Sequence, residues 1–158
     1  MTTIAWDGNL LAADRKGNSD GMARDREKII IVPDRRVAIT WEGRHECGLV
    51  LADWWLNGCD VDKWPAFQED DEAWTRLLIF GVGEILEYER LPKAQAVTET
   101  PMAWGSGRAF ALGAMAANMT AAEAVKIAGR YDIYSGLGVN FVRISDIRPE
   151  ACGLRLEA

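Results

Sequence analysis

Apolar residues in the first forty positions occur in short segments separated by turn residues and charged residues, which is typical of strands rather than helices. This pattern predicts four strands, over residues 2–6, 9–14, 28–32 and 36–40. The dipeptide Asp7-Gly8 joins the first two as a tight hairpin. Residues 15–26 are rich in glycine and charge, and we predict a loop there.

A helical spacing of apolar residues replaces this pattern over residues 45–56, and Asn57-Gly58 ends the predicted helix. Two further helices are predicted, over residues 108–117 and 120–134. Thr120 and Glu123 form the sequence signature of a capping box at the start of the last helix. The remaining strands are predicted at 77–82, 84–90, 102–104, 139–144 and 153–156.

Hairpin strands and helices therefore occur in separate groups along the chain, which predicts an α+β fold and not a doubly wound parallel sheet. Two antiparallel sheets packed face to face, with helices outside, satisfy this order. The 158 residues suffice for one domain spanning 1–158 with its own core.

Composition narrows the function classes. Acidic residues outnumber basic ones by 24 to 18, for a net charge of −6, which argues against nucleic acid as a partner. No apolar segment is long enough to cross a bilayer, and the first residues lack the basic and apolar regions of a secretory signal. We therefore expect a cytoplasmic protein with neither a nucleic-acid nor a membrane partner.

Familiar catalytic and metal-binding motifs are missing from the sequence. The three cysteines (Cys47, Cys59 and Cys152) have no CxxC spacing, and with the single His45 they favour reduced thiols over a zinc site. The Gly-Ser-Gly at 105–107 is not a GxSxG elbow, and the sequence contains neither a Walker A nor a GxGxxG motif. We expect no cofactor and no metal.

Thr2 is the residue with the clearest chemical potential. A small residue at position two permits removal of Met1, which would leave Thr2 with a free α-amine. That amine has a reference pKa of about 7.7–8.0 and can take the hydroxyl proton of its own residue, so the threonine carries both nucleophile and base. The β-branch restricts the side-chain rotamer and holds Oγ in place.

Six short segments accompany Thr2 in a fixed order. They are Thr2-Thr3-Ile4, Leu10 to Asp14, Lys28-Ile29, Gly105-Ser106-Gly107 with Phe110 to Met115, Ala121 to Val125, and Asp132 to Gly136. In this order they resemble the proteasome β-subunit family of N-terminal nucleophile hydrolases, which includes the bacterial peptidase HslV. The resemblance covers nearly the whole chain. It implies an αββα sandwich and threonine-peptidase chemistry.

The resemblance also assigns roles near the N-terminus. Thr2 matches the nucleophile, and its amine matches the base. Lys28 matches the lysine whose positive charge lowers the pKa of that amine, and Asp14 matches the acidic partner of the lysine. The ordinary alternatives are that Asp14 is a turn acid and Lys28 a solvated charge at a strand edge.

Further roles fall on residues distant in sequence. Ser106, Asp132 and Ser135 match the polar group that orients the amine and its water, and Gly43 matches the residue whose backbone N–H stabilises the oxyanion. Asp132 and Ser135 are three residues apart at a predicted helix end, so both side chains can point the same way. Ser106 has an ordinary alternative as a helix N-cap.

The sequence departs from the family pattern at residues 40–44, where larger residues replace small ones and Arg44 stands where glycine is common. The substrate pocket and cleavage preference therefore do not follow from the resemblance. The first hairpin is shorter than usual, and no propeptide precedes Thr2 in this sequence.

The expected function is a threonine-type endopeptidase that hydrolyses peptide bonds through an acyl-enzyme on Thr2. The resemblance implies a homo-oligomeric chamber of stacked rings, protein or peptide substrates, and an ATP-dependent unfoldase as partner. Two alternatives stay open: a catalytically inactive proteasome-like scaffold, and a non-peptide amidase on the same fold.

Overall fold

The computed structural model describes residues 1–149 and the backbone of residues 156–157. The strands in these residues are β1 (Thr3–Trp6), β2 (Leu10–Asp14), β3 (Lys16–Ser19), β4 (Met22–Asp25), β5 (Ile30–Val32), β6 (Val37–Glu42), β7 (Arg76–Gly81), β8 (Glu84–Tyr88), β9 (Gln95–Ala96), β10 (Met102–Gly105), β11 (Val139–Arg143) and β12 (Leu156–Glu157). The helices are α1 (His45–Leu56), α2 (Arg108–Ala116) and α3 (Ala121–Tyr131). Short 3₁₀ turns occur at Pro33–Arg35, Val61–Lys63, Ala66–Glu69 and Ile144–Asp146.

Ten of the strands form two antiparallel five-stranded sheets. The first sheet has the order β10-β1-β2-β11-β12, and the second has the order β5-β6-β7-β8-β9. The remaining two strands, β3 and β4, form a separate hairpin. The predicted α+β class with antiparallel sheets is therefore confirmed.

The two sheets face each other across an apolar core. Ile4 and Leu11 of the first sheet share this core with Leu78 and Phe80 of the second, and Trp104 is buried among them. Burial of these large side chains is the main favourable term that holds the sheets together.

Helices cover the outer face of each sheet. Small residues of α2 and α3, such as Ala111 and Ala124, pack against Ala5 and Ala12 of the first sheet. Leu51 of α1 packs in a separate core on the second sheet. The four layers are therefore helix, sheet, sheet and helix, as the αββα prediction requires.

One predicted loop is a hairpin. Residues 15–26 contain β3 and β4, joined by Asp20-Gly21 with φ values of 52° and 75°. Two consecutive positive φ angles are what a type I′ hairpin turn needs, and Asp-Gly is a preferred pair for it. The loop prediction was wrong because β4 is exposed throughout and β3 contains no buried residue, so both strands lack the apolar alternation that marks a half-buried strand.

Other differences concern element ends. Helix α3 stops at Tyr131, three residues before the predicted end, because the backbone of Asp132 is extended and its carboxylate accepts the N–H of Tyr134. The short strand β9 was not predicted. Of the predicted strand at 153–156, only residue 156 lies within the described residues, and Cys152 lies outside them.

Four strands of the first sheet begin or end close together, at one end of the sheet. Thr3 at the start of β1 pairs with Gly105 at the end of β10, and Asp14 at the end of β2 pairs with Val139 at the start of β11. Within the described part of the chain, no helix has the length and apolar character needed to span a membrane.

Candidate active site

Thr2 lies immediately before β1, at this end of the first sheet, and it is buried. Its Oγ1 donates a hydrogen bond of 2.9 Å to Oδ1 of Asp14. Gly105 makes the position possible, because a Cβ on Gly105 would lie 1.9 Å from the carbonyl oxygen of Thr2. The glycine has a φ of 93°, so both the close approach and the backbone conformation favour a residue without a side chain.

Asp14 is only 1% exposed and binds five donors. Its Oδ1 accepts from Thr2, from the backbone N–H of Thr3 at 2.9 Å and from Nζ of Lys28 at 2.9 Å. Its Oδ2 accepts the backbone N–H groups of Lys16 at 3.1 Å and Gly136 at 3.0 Å. A carboxylate that is buried and accepts five hydrogen bonds is not a simple turn acid.

Lys28 is a buried cation, not a solvated strand-edge charge. Only 5% of the residue is exposed, and its Nζ also donates to the carbonyl of Lys16 at 2.6 Å. Burial lowers the pKa of Lys28 from its usual value, while the charge of Asp14 and the hydrogen bond to it act in the opposite direction. The backbone at Lys28 is fixed by Thr40, whose hydroxyl donates to the Lys28 carbonyl at 2.6 Å.

Ser106, Asp132 and Ser135 form a second polar cluster beside Thr2. Oδ2 of Asp132 accepts from Oγ of Ser106 at 2.6 Å and from Oγ of Ser135 at 2.5 Å. Burial alone would raise the pKa of Asp132, but these bonds and the N–H of Tyr134 outweigh it, and the pKa is lowered. Ser106 is not the N-cap of α2, which is Gly107.

Thr3 joins the second cluster to the first. Its backbone N–H binds Asp14, and its hydroxyl lies 2.6 Å from Oγ of Ser135. Because Ser135 gives its single hydroxyl hydrogen to Asp132, Thr3 is the donor in this bond. The sequence pattern gave Thr3 no role of its own, whereas in the structure its hydroxyl contacts Ser135.

Gly43 follows β6 and has a φ of 135°, and a Cβ there would lie 2.6 Å from Oγ1 of Thr75. It lies on the wall of a cavity of about 380 Å³ that also touches Thr2 and Lys28. Six of the seven predicted site residues are thus connected by hydrogen bonds, and Gly43 shares a cavity with two of them.

Met1 also lines this cavity, and the pKa of its amine responds to the charges around it. The pKa of its amine is lowered, first by burial and then by the charge of Lys28. His45 also lines the cavity, next to the ring of Trp41 at a centroid distance of 5.5 Å. Burial lowers the pKa of His45, and the nearby Arg26 lowers it further.

In the described residues, no group of three or more potential ligands is placed to hold a metal ion. Cys47 and Cys59 are free thiols. The arrangement at Thr2 therefore consists of a buried hydroxyl, an ion pair, a hydroxyl-carboxylate cluster and an adjoining cavity, which together suit acyl transfer to a hydroxyl nucleophile.

No family model matches the chain, and no curated protein matches it. Solved structures do match. BPH of Thiobacillus denitrificans has a TM-score of 0.64 at 23% identity, over 92% of this chain and 98% of that one, and a second structure holds BPH in complex with epoxomicin. Eukaryotic HslV from Trypanosoma brucei has a TM-score of 0.64 at 18% identity, over 89% and 97% of the two chains. Anbu (ancestral beta-subunit) from Yersinia bercovieri has a TM-score of 0.69 at 10% identity, over 99% and 86%.

These similarities define the fold class. The chain has the fold of HslV and related proteasome-type N-terminal nucleophile hydrolases, so the resemblance drawn from the sequence segments is confirmed at the level of fold. At 10–23% identity the similarity concerns the fold alone, and the chemistry has to be argued from the site.

Proposed function

We propose that the chain is an N-terminal threonine endopeptidase, which hydrolyses peptide bonds through an acyl-enzyme on Thr2. The observation that carries the proposal is the contact between the buried Thr2 hydroxyl and the Asp14–Lys28 ion pair, in which Oγ1 of Thr2 and Nζ of Lys28 each donate to Oδ1 of Asp14 at 2.9 Å. A hydroxyl at a cavity wall, next to a buried cation and anion, is the arrangement that an activated nucleophile requires.

Removal of Met1 is the first step that this function needs, because an acylated nitrogen cannot act as a base. The new α-amine of Thr2 would lie near Lys28, whose Nζ is 3.4 Å from the carbonyl oxygen of Met1. A nearby positive charge lowers the pKa of an amine and keeps it unprotonated at neutral pH. Burial lowers the pKa of Lys28, and the charge of Asp14 and its hydrogen bond to Lys28 oppose that effect.

In the reaction, the Thr2 amine takes the hydroxyl proton through a water, and Oγ1 forms a bond to the peptide carbonyl carbon. The backbone N–H of Gly43 stabilises the oxyanion of the tetrahedral intermediate. The C–N bond then breaks, and the leaving amine takes the proton from the Thr2 ammonium. Water hydrolyses the ester, releases the acid product and returns the proton to Oγ1.

The second cluster has a positioning role in this proposal. Oγ of Ser106 lies 3.3 Å from the Thr2 carbonyl oxygen and 2.6 Å from Asp132. Ser106 thereby links Thr2 to Asp132, and in this proposal it orients the Thr2 amine and the water. Ser135 and Thr3 keep the Asp132 carboxylate in place.

We also propose that the chain acts in the cytoplasm as a homo-oligomeric chamber of stacked rings, with protein or peptide substrates and an ATP-dependent unfoldase as partner. The support is the fold shared with HslV, BPH and Anbu over at least 86% of each chain. A chamber would place Thr2 where only unfolded segments reach it.

The test compares cleavage of short fluorogenic peptides by the wild type and by Thr2→Ala. We expect Thr2→Ala to lose activity by about a thousandfold or more, because the nucleophile is gone. Thr98→Ala, an exposed threonine away from the site, is the matched control and should keep full activity. Sedimentation of each protein should give the same mass, well above the 17.5 kDa of one chain.

Three outcomes separate the candidates. Full activity in Thr2→Ala would show that the nucleophile is another residue. Inactivity of a folded wild type that lacks Met1 would favour the scaffold. Hydrolysis of non-peptide amides alone would favour an amidase on this fold.

A further inference from the structure

We propose that the cavity beside Thr2 selects peptides with an acidic side chain on the residue whose carbonyl Thr2 attacks. This inference rests on the proposed peptidase function and names the substrate class of that same site. It is carried by the charges that line the cavity and by how one of them, Arg26, is held there.

The cavity is positive although the chain as a whole carries −6. Among the described residues, those that line it include Lys16, Arg26, Lys28 and Arg44, against one acidic residue, Glu46. Lys28 is paired with Asp14, whereas Nζ of Lys16 donates to a neutral carbonyl, that of Ile133, at 2.7 Å, and forms no ion pair with a carboxylate among residues 1–149. Within residues 1–149, neither Arg26 nor Arg44 forms an ion pair with a carboxylate.

Arg26 is built into the cavity wall by the β3–β4 hairpin. Its backbone N–H donates to the carbonyl of Arg15 at 2.7 Å and closes the hairpin. Gly17 on β3 makes room for its side chain, because a Cβ on Gly17 would lie 2.6 Å from Cγ of Arg26. Gly17 therefore lets the side chain of Arg26 cross the hairpin toward the cavity. A larger residue at position 17 would displace the arginine.

The positive charge of Arg26 acts on His45, which also lines the cavity. Apart from burial, it is the main cause that lowers the pKa of His45, and Lys28 adds to it, while Glu46 acts in the opposite direction. The imidazole is therefore disfavoured as a cation by its surroundings. A carboxylate at this place would be favoured by the same charges.

The shape of the cavity restricts what can enter. Trp41 is 2% exposed and forms part of the wall, and it lies so close to Gly48 of α1 that a Cβ there would be 2.2 Å from the indole ring. A volume of about 380 Å³ between this rigid ring and the arginines holds a single side chain with its waters. An Asp or Glu there forms charge-assisted hydrogen bonds to a guanidinium, whereas Lys or Arg is repelled.

The experiment uses three fluorogenic peptides that differ only at the residue before the cleaved bond, which is Glu, Leu or Lys. We expect the wild type to cleave the Glu peptide with a kcat/KM at least about tenfold above that of the Leu peptide, and to cleave the Lys peptide most slowly. Arg26→Gln should lower the Glu-to-Leu ratio by about tenfold, and Arg26→Glu should place the Lys peptide above the Glu peptide.

Arg24→Gln is the matched control, since Arg24 is an exposed arginine of the same hairpin that does not line the cavity. Its Glu-to-Leu ratio should equal that of the wild type. A wild type that cleaves all three peptides without favouring Glu, or an Arg26→Gln variant with an unchanged ratio, would overturn the acidic preference and leave the peptidase function standing. A wild type that cleaves none of them would overturn the peptidase function and this inference with it.

Discussion

At the scale of single residues, the site depends on a costly arrangement: a lysine and an aspartate that are both nearly fully buried. Removing two charges from water is unfavourable unless each is paired and hydrogen-bonded. Here Asp14 accepts hydrogen bonds from five donors, and Lys28 donates to two close acceptors. Both charges are therefore compensated although both side chains are buried. A hydrophobic pair would pack there at lower cost, and this favours a chemical role for the ion pair.

Lys28→Ala removes the buried cation beside Thr2. We expect kcat/KM for peptides to fall by about a hundredfold or more at neutral pH, because the charge that lowers the pKa of the Thr2 amine is lost. Activity requires the unprotonated amine, so it rises with pH through the amine pKa. Removing the cation raises that pKa, and the rising limb of the pH profile should move to higher pH.

Lys28→Arg should not restore the activity, because a planar guanidinium does not fit the two acceptors that hold a single Nζ. Lys126→Ala, an exposed lysine on α3, is the control and should leave both the rate and the pH limb unchanged. If Lys28→Ala keeps the wild-type pH profile, the amine is tuned by another group. Circular dichroism checks that each variant is folded.

Several residues of the site could not be identified from the sequence on their own. Asp14, Lys28 and Asp132 were singled out only through the order of short segments, since each alone has an ordinary explanation. Thr3 had no such signal, because its hydroxyl matters only through Ser135, 132 residues later. Arg26 was missed for a local reason: it follows a hairpin that was predicted as a loop.

At the scale of elements, glycines decide how closely the neighbouring segments approach Thr2. Strand β10 ends in Gly105, whose missing side chain admits the Thr2 carbonyl, and α2 begins after Gly107. A Cβ on Gly107 would lie 2.0 Å from Oγ1 of Thr3. The Gly-Ser-Gly segment therefore lets one serine reach Thr2 and Asp132 without a clash on either side.

Gly105→Ala should destabilise the fold by about 3 kcal/mol or more, because it combines a positive φ with a steric overlap against backbone. The control is Gly113→Ala in the exposed middle of α2, where an added Cβ meets nothing within 4 Å. That substitution should stabilise by about 0.5–1 kcal/mol through helix propensity. Urea unfolding measures both. Equal stabilities of the two variants would contradict the close approach at Thr2.

Most elements were predictable because burial imposes a period on the sequence. Helix α1 was predicted at its observed bounds, and β7, which is buried in its middle, within one residue at each end. The hairpin of β3 and β4 was not, since neither strand has a buried face. Its Asp20-Gly21 turn was a usable signal that the surrounding charge obscured. The end of α3 depends on the side chain of Asp132, which propensity does not register.

At the scale of the whole molecule, the candidate site lies at one end of the central strands of the first sheet, and apolar side chains fill the spaces between the four layers. The layer order follows from the grouping of strands and helices, and the sheet pairing then brings residues 2, 14, 106 and 135 together. The prediction of one domain over 1–158 stays a prediction. The proposed chamber would add a further layer of selection, by access, to the charge selection proposed for the cavity.

The role proposed for Thr2 is tested by the intact mass of the protein before and after treatment with epoxomicin, the compound held by BPH in one of the matching structures. We expect a chain that lacks Met1 and gains one equivalent of epoxomicin, with the adduct on Thr2 and no gain in Thr2→Ala. A chain that retains Met1, or an equal adduct on Thr2→Ala, would contradict it.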